Sequence, residues 1–118
     1  MGKDLHYLII AFFRARMSEH SKVSGFSEIP DDNDILYRIE RVGDLPDLTV
    51  HLSDAYRYTM HDYYCKPAIL GHGDFILIAR PESEFSEDIL AIAARDGIGI
   101  GQIGKFMGAL NYKDTWLY

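Results

Sequence analysis

Five side chains able to bind a metal or move a proton crowd the middle of the chain: His51, His61, Asp62, Cys65 and His72. Imidazole, carboxylate and thiolate are the ligands of zinc and other transition metals. His61 and Cys65 are four residues apart, which puts both on one face of a helix. The spacing matches no standard zinc module, and the single cysteine makes no paired-Cys knuckle. These residues therefore read as surface histidines around a buried free thiol. Cys65 with a histidine would also be a nucleophile and its base, but no known nucleophile setting surrounds it. Tyr56, Tyr58, Tyr63 and Tyr64, with Arg57 and His61, form the densest aromatic cluster. Aromatics interleaved with cations stack bases or anchor interfaces, while tyrosine also suits half-buried strands. Gly99, Gly101 and Gly104 spell GxGxxG, but a helix is expected before them and a strand through them. A dinucleotide fingerprint needs the reverse context, so the glycines read as close-packing or hairpin positions.

The elements that must position these groups follow from periodicity. Residues 3–20 read as a helix, with Leu5, Leu8, Ile9, Phe12 and Ala15 on one face and Ile10 and Phe13 widening the apolar arc. A polar loop follows, with a weak strand signal over 23–29. Residues 30–34, PDDND, form a turn in which Asp and Asn side chains bond the local backbone. Residues 35–42 alternate as a strand, and Leu48, Val50 and Leu52 alternate against Thr49 and His51 in the next one. A third strand is expected over 55–60, with Tyr56, Tyr58 and Met60 on one face, which completes an antiparallel meander. Residues 61–70 read as a short helix, with Pro67 near its start or at a kink.

The organising stretch runs from Asp74 to Ile103. Residues 75–79 are a nearly continuous apolar run, the mark of a strand covered on both faces; Pro81 ends it. Ser86 stands at a helix N-cap, with Glu87 and Asp88 in the first turn and Phe85 and Leu90 placed for a hydrophobic staple. Ile89, Leu90, Ile92 and Ala93 supply the buried stripe and Gly97 the stop. Ile98, Ile100 and Ile103 read as the returning strand of a parallel crossover. Gly104–Lys105 then turns into a last strand over 106–110, and Trp116, Leu117 and Tyr118 end a tail that docks on the body or on a partner. The expected fold is α/β (α+β): a central mixed sheet with a three-stranded antiparallel meander and a β-α-β unit, flanked by helices, in one domain over residues 1–118.

A net charge of −6 argues against a broad nucleic-acid-binding face, though not against a local basic patch or an acidic metal site. The apolar run 5–13 is far shorter than the roughly 20 residues that span a bilayer. It is followed by Arg14 and Arg16 without a cleavage site, so no membrane association is expected. One cysteine allows no internal disulfide, which points to a reducing compartment and a cytoplasmic location.

Pro46–Asp47 stands at the start of a predicted strand. With the order helix, antiparallel strands, then strand–helix–strand, the chain from about 3 to 110 resembles the restriction-endonuclease-like, or PD-(D/E)xK, nuclease superfamily. In that family an antiparallel hairpin carries the acidic site. The resemblance implies Asp47 as first metal ligand, Asp54 as second, Glu19 or Asp62 assisting, Mg²⁺ as cofactor, and nucleic acid as the partner. The family's lysine follows its second acid by two residues, but Tyr56 and Tyr64 hold those places after Asp54 and Asp62. Lys66 is the nearest lysine, and Arg57 stabilises charge without serving as a base. The catalytic set implied is thus Asp47, Asp54 and Lys66, with an incomplete or displaced motif. The alternative function is a non-catalytic interaction or regulatory subunit, a homo-oligomer or a protein's partner. It would use Tyr56, Arg57, Tyr58, Tyr63, Tyr64 and Trp116 as its contact surface.

Overall fold

The computed structural model describes residues 7–80 and 82–118. The expected helix start at residue 3, Leu5 and Pro81 lie outside the described residues. Helix α1 (Tyr7–Glu19) leads into strands β1 (Val23–Ile29), β2 (Ile35–Arg41) and β3 (Leu48–Ser53). These form the antiparallel meander, with Phe26 opposite Ile39 and Leu36 opposite His51. Strand β5 (Phe75–Ile78), helix α3 (Glu87–Arg95) and strand β7 (Gly99–Gly101) form the parallel β-α-β unit. Strand β5 also pairs in parallel with β3, so one mixed sheet runs β1-β2-β3-β5-β7.

The meander is displaced by one strand from its expected position. Its first member is β1, whose sequence signal is weak because Gly25 and three serine or glutamate side chains dilute it. The strand expected over 55–60 shrinks to β4 (Arg57–Tyr58), which leaves the main sheet and pairs in parallel with β6 (Glu84–Phe85). Thr59 cuts it short. Its hydroxyl accepts from the Asp62 N–H, and the Asp62 carboxylate accepts from the Thr59 N–H, a capping box that starts helix α2 (Met60–Tyr64). The strand expected over 106–110 is instead helix α4 (Ile103–Ala109). Ile103, Phe106, Met107 and Leu110 sit at helical spacing, and the isoleucine alternation that suggests a strand ends at Ile100.

Two cores sandwich the sheet. Ile35, Tyr37, Ile39, Val50, Leu52, Phe75 and Leu77 pack on one face with Phe13 and Met17 of α1 and Phe106 of α4. Ile76, Ile78 and Ile100 pack on the other with Ile89 and Ala93 of α3 and Tyr63 of α2. This explains the unbroken apolar run of β5, where alternate side chains enter opposite cores. Helix α3 starts after Ser86 as expected, although the serine hydroxyl makes no cap bond, and Gly97 closes it with φ of +75°.

Helix α1 departs most from expectation. Only Phe13 and Met17 are buried on it. Leu8 and Phe12, expected on the buried face, are 59% and 52% exposed. The helix is apolar almost all round from Tyr7 to Phe13, so its sequence does not choose a side. The buried side is the one that carries Phe13 and Met17, which pack on Tyr37 and Phe106 of the core; beside them Arg14 donates to the Tyr37 hydroxyl at 3.1 Å and lies over the Phe26 ring.

Candidate functional site

Antiparallel pairing of β2 and β3 brings the start of one to the end of the other, with Ile35 opposite Leu52. Asp34, just before β2, therefore meets His51 on β3. His51 Nε2 lies 3.4 Å from an Asp34 carboxylate oxygen. The Asp31 carboxylate is fixed in the preceding turn by the N–H groups of Asn33 and Asp34, at 2.9 and 2.7 Å. His51 is 7% exposed and its Nδ1 has no hydrogen-bond partner. Burial lowers its pKa, outweighing the upward pull of Asp34, Asp54 and Asp31. The ring is thus neutral near pH 7. A carboxylate only accepts, so the neutral tautomer carries its proton on Nε2 toward Asp34 and leaves a lone pair on Nδ1. Thr49, His51 and Ser53 are all buried polar residues on the β3 face opposite Val50 and Leu52.

The acidic set implied by the resemblance does not converge. Asp47 and Asp54 flank opposite ends of the six-residue β3, about 23 Å apart at ~3.3 Å per residue. Asp47 has a structural role: one carboxylate oxygen accepts from the Arg41 N–H at 3.3 Å, and the other lies 3.6 Å from Arg38. Asp62 is engaged in the α2 capping box. Glu19 faces Arg16 at 3.9 Å on the exposed end of α1. Lys66 Nζ stands over the Tyr63 ring, 4.1 Å from its centre. Among the described residues no three of His, Cys, Asp or Glu are placed to hold a metal ion. Mg²⁺ therefore does not fit the ligand set of Asp47, Asp54, Glu19 and Asp62.

The remaining metal candidates also separate. His61 Nε2 and Cys65 Sγ approach to 3.6 Å, as their spacing predicts. Cys65 is exposed, however, not buried. The His72 ring packs on Trp116, with 4.3 Å between ring centres. In the glycine-rich stretch a helix does follow, α4, but Gly99 and Gly101 lie within β7 rather than in a loop. A Cβ on Gly99 would strike the Phe75 ring, so the glycine serves close packing.

The aromatic contact surface divides as well. Tyr58 and Tyr63 are core residues, 2% and 1% exposed. The Tyr63 hydroxyl donates to Asp96 at 2.6 Å. Tyr56 and Tyr64 are exposed, Tyr56 with Arg80 stacked on its ring at 4.4 Å. Arg57 is exposed and lies 3.9 Å from Glu84, its neighbour on β6, and both line a cleft of about 570 Å³. Trp116 sits in a 3₁₀ turn, Thr115–Leu117, whose Thr115 is fully buried, so the tail docks on the body.

Two features escape the sequence reading. Arg41, 6% exposed, donates Nε to the Pro46 carbonyl at 2.7 Å and Nη1 to the carbonyls of Leu110 and Tyr112 at 3.0 and 2.7 Å. It thereby ties β2 to the C-terminal turn. A lone arginine at a strand end carries no signal for this in sequence. The second feature is an apolar groove of about 390 Å³, walled by Leu8 and Phe12 of α1, Leu52, Ile78 and Ala79 at the ends of β3 and β5, and Ile103 of α4. Exposed Leu8 and Phe12 form its rim on α1, with Ile9 and Phe13 deeper in it, and exposed Ala11 and Ala15 continue the apolar stripe along the helix beside it. Its signal was present: α1 has more apolar residues than one buried face requires.

Comparison with known proteins finds no matching family model, no matching curated protein and no matching solved structure. No described helix is long and apolar enough to cross a membrane.

Proposed function

We propose that this chain is a restriction-endonuclease-like domain that serves as a protein-interaction subunit, docking a partner through α1. The observation that carries this reading is the exposed stripe Leu8, Ala11, Phe12 and Ala15. It repeats at i, i+3, i+4 and i+7 on a helix whose other side is already in the core. Contiguous exposed apolar surface of this kind marks interaction sites. The nuclease-like part of the proposal is supported by element order. A helix, an antiparallel hairpin and a strand–helix–strand unit follow one another as in the family.

The test is site-specific photo-cross-linking in cells. A cross-linker at position 12 yields a discrete adduct, of the chain with itself or with another protein, while one at exposed Lys113 does not. No adduct from position 12 overturns the reading.

A second reading, metal-dependent action on nucleic acid, has one observation in its favour. Asp34 lies 3.4 Å from buried His51 at the hairpin end, and the charge of Asp54 acts on the same ring. Mg²⁺ binds through one or two carboxylates and keeps its waters, so this end, not Asp47, is where the ion would sit. Titration of Mg²⁺ and Mn²⁺ followed by amide shifts tests it. Saturable shifts at Asp34 and Asp54 that Asp34→Asn removes would support a metal site, and no site-specific response up to millimolar metal would end the reading.

A further inference from the structure

We infer that the groove between α1 and α4 binds a single-chain amphiphile with an anionic head, a long-chain carboxylate, its tail among Leu8, Ile9, Phe12 and Ile103 and its head on Arg16. This goes beyond docking through the outer stripe of α1, because the groove lies on the side of the helix that carries Ile9 and Phe13, around from Ala11 and Ala15. Two cavities abut along this pair of helices. The first is the groove of about 390 Å³, a volume within the roughly 300–1,000 Å³ of small-molecule sites. Among the described residues that line it, Gln102 is the only polar one. The second cavity, of about 410 Å³, begins one turn further along each helix, at Arg16 and Met107, and takes in Glu19, His20 and Asn111. Arg16 lies over the Phe12 ring at 5.8 Å, which is where the two spaces meet. Early residues of both helices line the first cavity and late residues of both line the second. The trench therefore passes from apolar to polar along two parallel helices, and His20 Nε2 joins them at the polar end by donating to the Met107 carbonyl at 2.8 Å. An amphiphile divides its tail from its head in the same sense.

Position, wall and charge favour the same occupant. Leu52 and Ile78 stand at the carboxyl ends of the parallel strands β3 and β5, and Gln102 follows β7. Open sheets of parallel strands place their ligands just beyond those ends. Gly104 of α4 forms part of the groove wall. Its φ is not positive and a Cβ there would meet nothing within 4 Å, so neither a turn nor close packing asks for glycine. Glycine weakens a helix relative to alanine, and what it provides here is an unobstructed wall. The chain carries a net charge of −6, yet residues 7–18 contain two arginines and no acid. Arg14 is committed to the Tyr37 hydroxyl. Arg16 is half exposed, and its contact with Glu19 at 3.9 Å is too long for a hydrogen bond. Its guanidinium therefore keeps donors for a ligand carboxylate at the point where apolar lining gives way to polar.

The experiment is calorimetric titration of the full chain with octanoate, decanoate and dodecanoate, each kept below its micelle concentration, with amide shifts to give the location. Affinity should rise about fourfold for each added methylene, and shifts should centre on residues 8–16 and 103–107. Gly104→Phe takes the space of several methylenes and should weaken dodecanoate at least about tenfold. It should leave the thermal midpoint unchanged or higher, since its Cβ meets open space and the helix loses a glycine. Arg16→Gln should weaken every member of the series about fivefold, the worth of a part-exposed ion pair. Glu19→Gln, which removes the competing carboxylate, should tighten binding. No binding of dodecanoate up to millimolar concentration overturns the inference. Decyltrimethylammonium bound as tightly as decanoate overturns the anionic head. Binding indifferent to Gly104→Phe, or with shifts centred away from α1 and α4, overturns the groove. None of these outcomes touches the docking reading, which position-12 cross-linking tests separately.

Discussion

Replacing Arg41 with alanine removes a side chain that joins β2, the turn at Pro46 and the C-terminal turn. Its three well-formed hydrogen bonds, to the carbonyls of Pro46, Leu110 and Tyr112, span 2.7–3.0 Å. A fourth, to Lys113 at 3.5 Å, is too long to add much. Bonds from a charged donor contribute about 1.5–3 kcal/mol each, but burying the guanidinium costs several kcal/mol in desolvation. The same burial lowers the Arg41 pKa, against the opposing pull of Asp47. The net loss on Arg41→Ala is about 3 kcal/mol, since the Leu110 carbonyl is left buried without its donor. At about 4 °C per kcal/mol for a chain of this size, the thermal midpoint should fall by about 12 °C. Arg41→Lys should recover less than half, because an ammonium cannot reach three carbonyls set in the plane of a guanidinium. Urea unfolding followed by circular dichroism gives the free energy. Amide exchange over residues 110–118 gives the location, and protection there should drop first. A loss under ~1 kcal/mol, or a larger loss with tail protection intact, would refute the claim that Arg41 holds the tail.

His51 sets an acid-side limit. Burial keeps its folded pKa below the ordinary histidine value of about 6.5, so the unfolded chain takes up the proton first. Stability should be full above that value and decline as pH falls below it toward the folded pKa. Urea midpoints at about pH 7.5 and about pH 5.5 should differ in the parent and converge in His51→Gln; a parent equally stable at both would contradict the assignment of a neutral buried ring. Gly97→Ala should cost at least ~1 kcal/mol, because φ is +75° and a Cβ would run into the His72 ring. Trp116, packed edge-on against His72, should report the disturbance in near-ultraviolet circular dichroism, and an unaltered midpoint would count against a strained left-handed position.

Where a residue's role depends on near neighbours in the chain, the sequence was legible. The β5–α3–β7 unit follows from one apolar run, one amphipathic stripe with acids at its head, and Gly97 at its foot. Strands β2 and β3 follow from alternation, whereas the aromatic end of the tail left open whether it docks on the body or on a partner, and buried Thr115 is what seats it on the body. The candidate site was not legible in the same way. Asp34 and His51 are 17 residues apart and meet only because β2 and β3 pair in one register; a shift of one residue would turn His51 to the opposite face. Pro46–Asp47 has the right local look but the wrong end of β3, where the neighbours are Arg38 and Arg41.

The chain by itself determined its periodic elements, because helix and strand spacing are written in consecutive residues. It also determined that α1 would carry more apolar surface than one core could use. Tertiary structure alone decided which side of the apolar first half of α1 faces the sheet, since a stretch apolar all round has no preferred side until Phe13 meets Tyr37 and Phe106 in the core. It alone made Arg41 the anchor of carbonyls 69 and 71 residues away. Contacts at that separation leave no period in the sequence, and only the packing of α4 and the turn after it against the sheet brings them together.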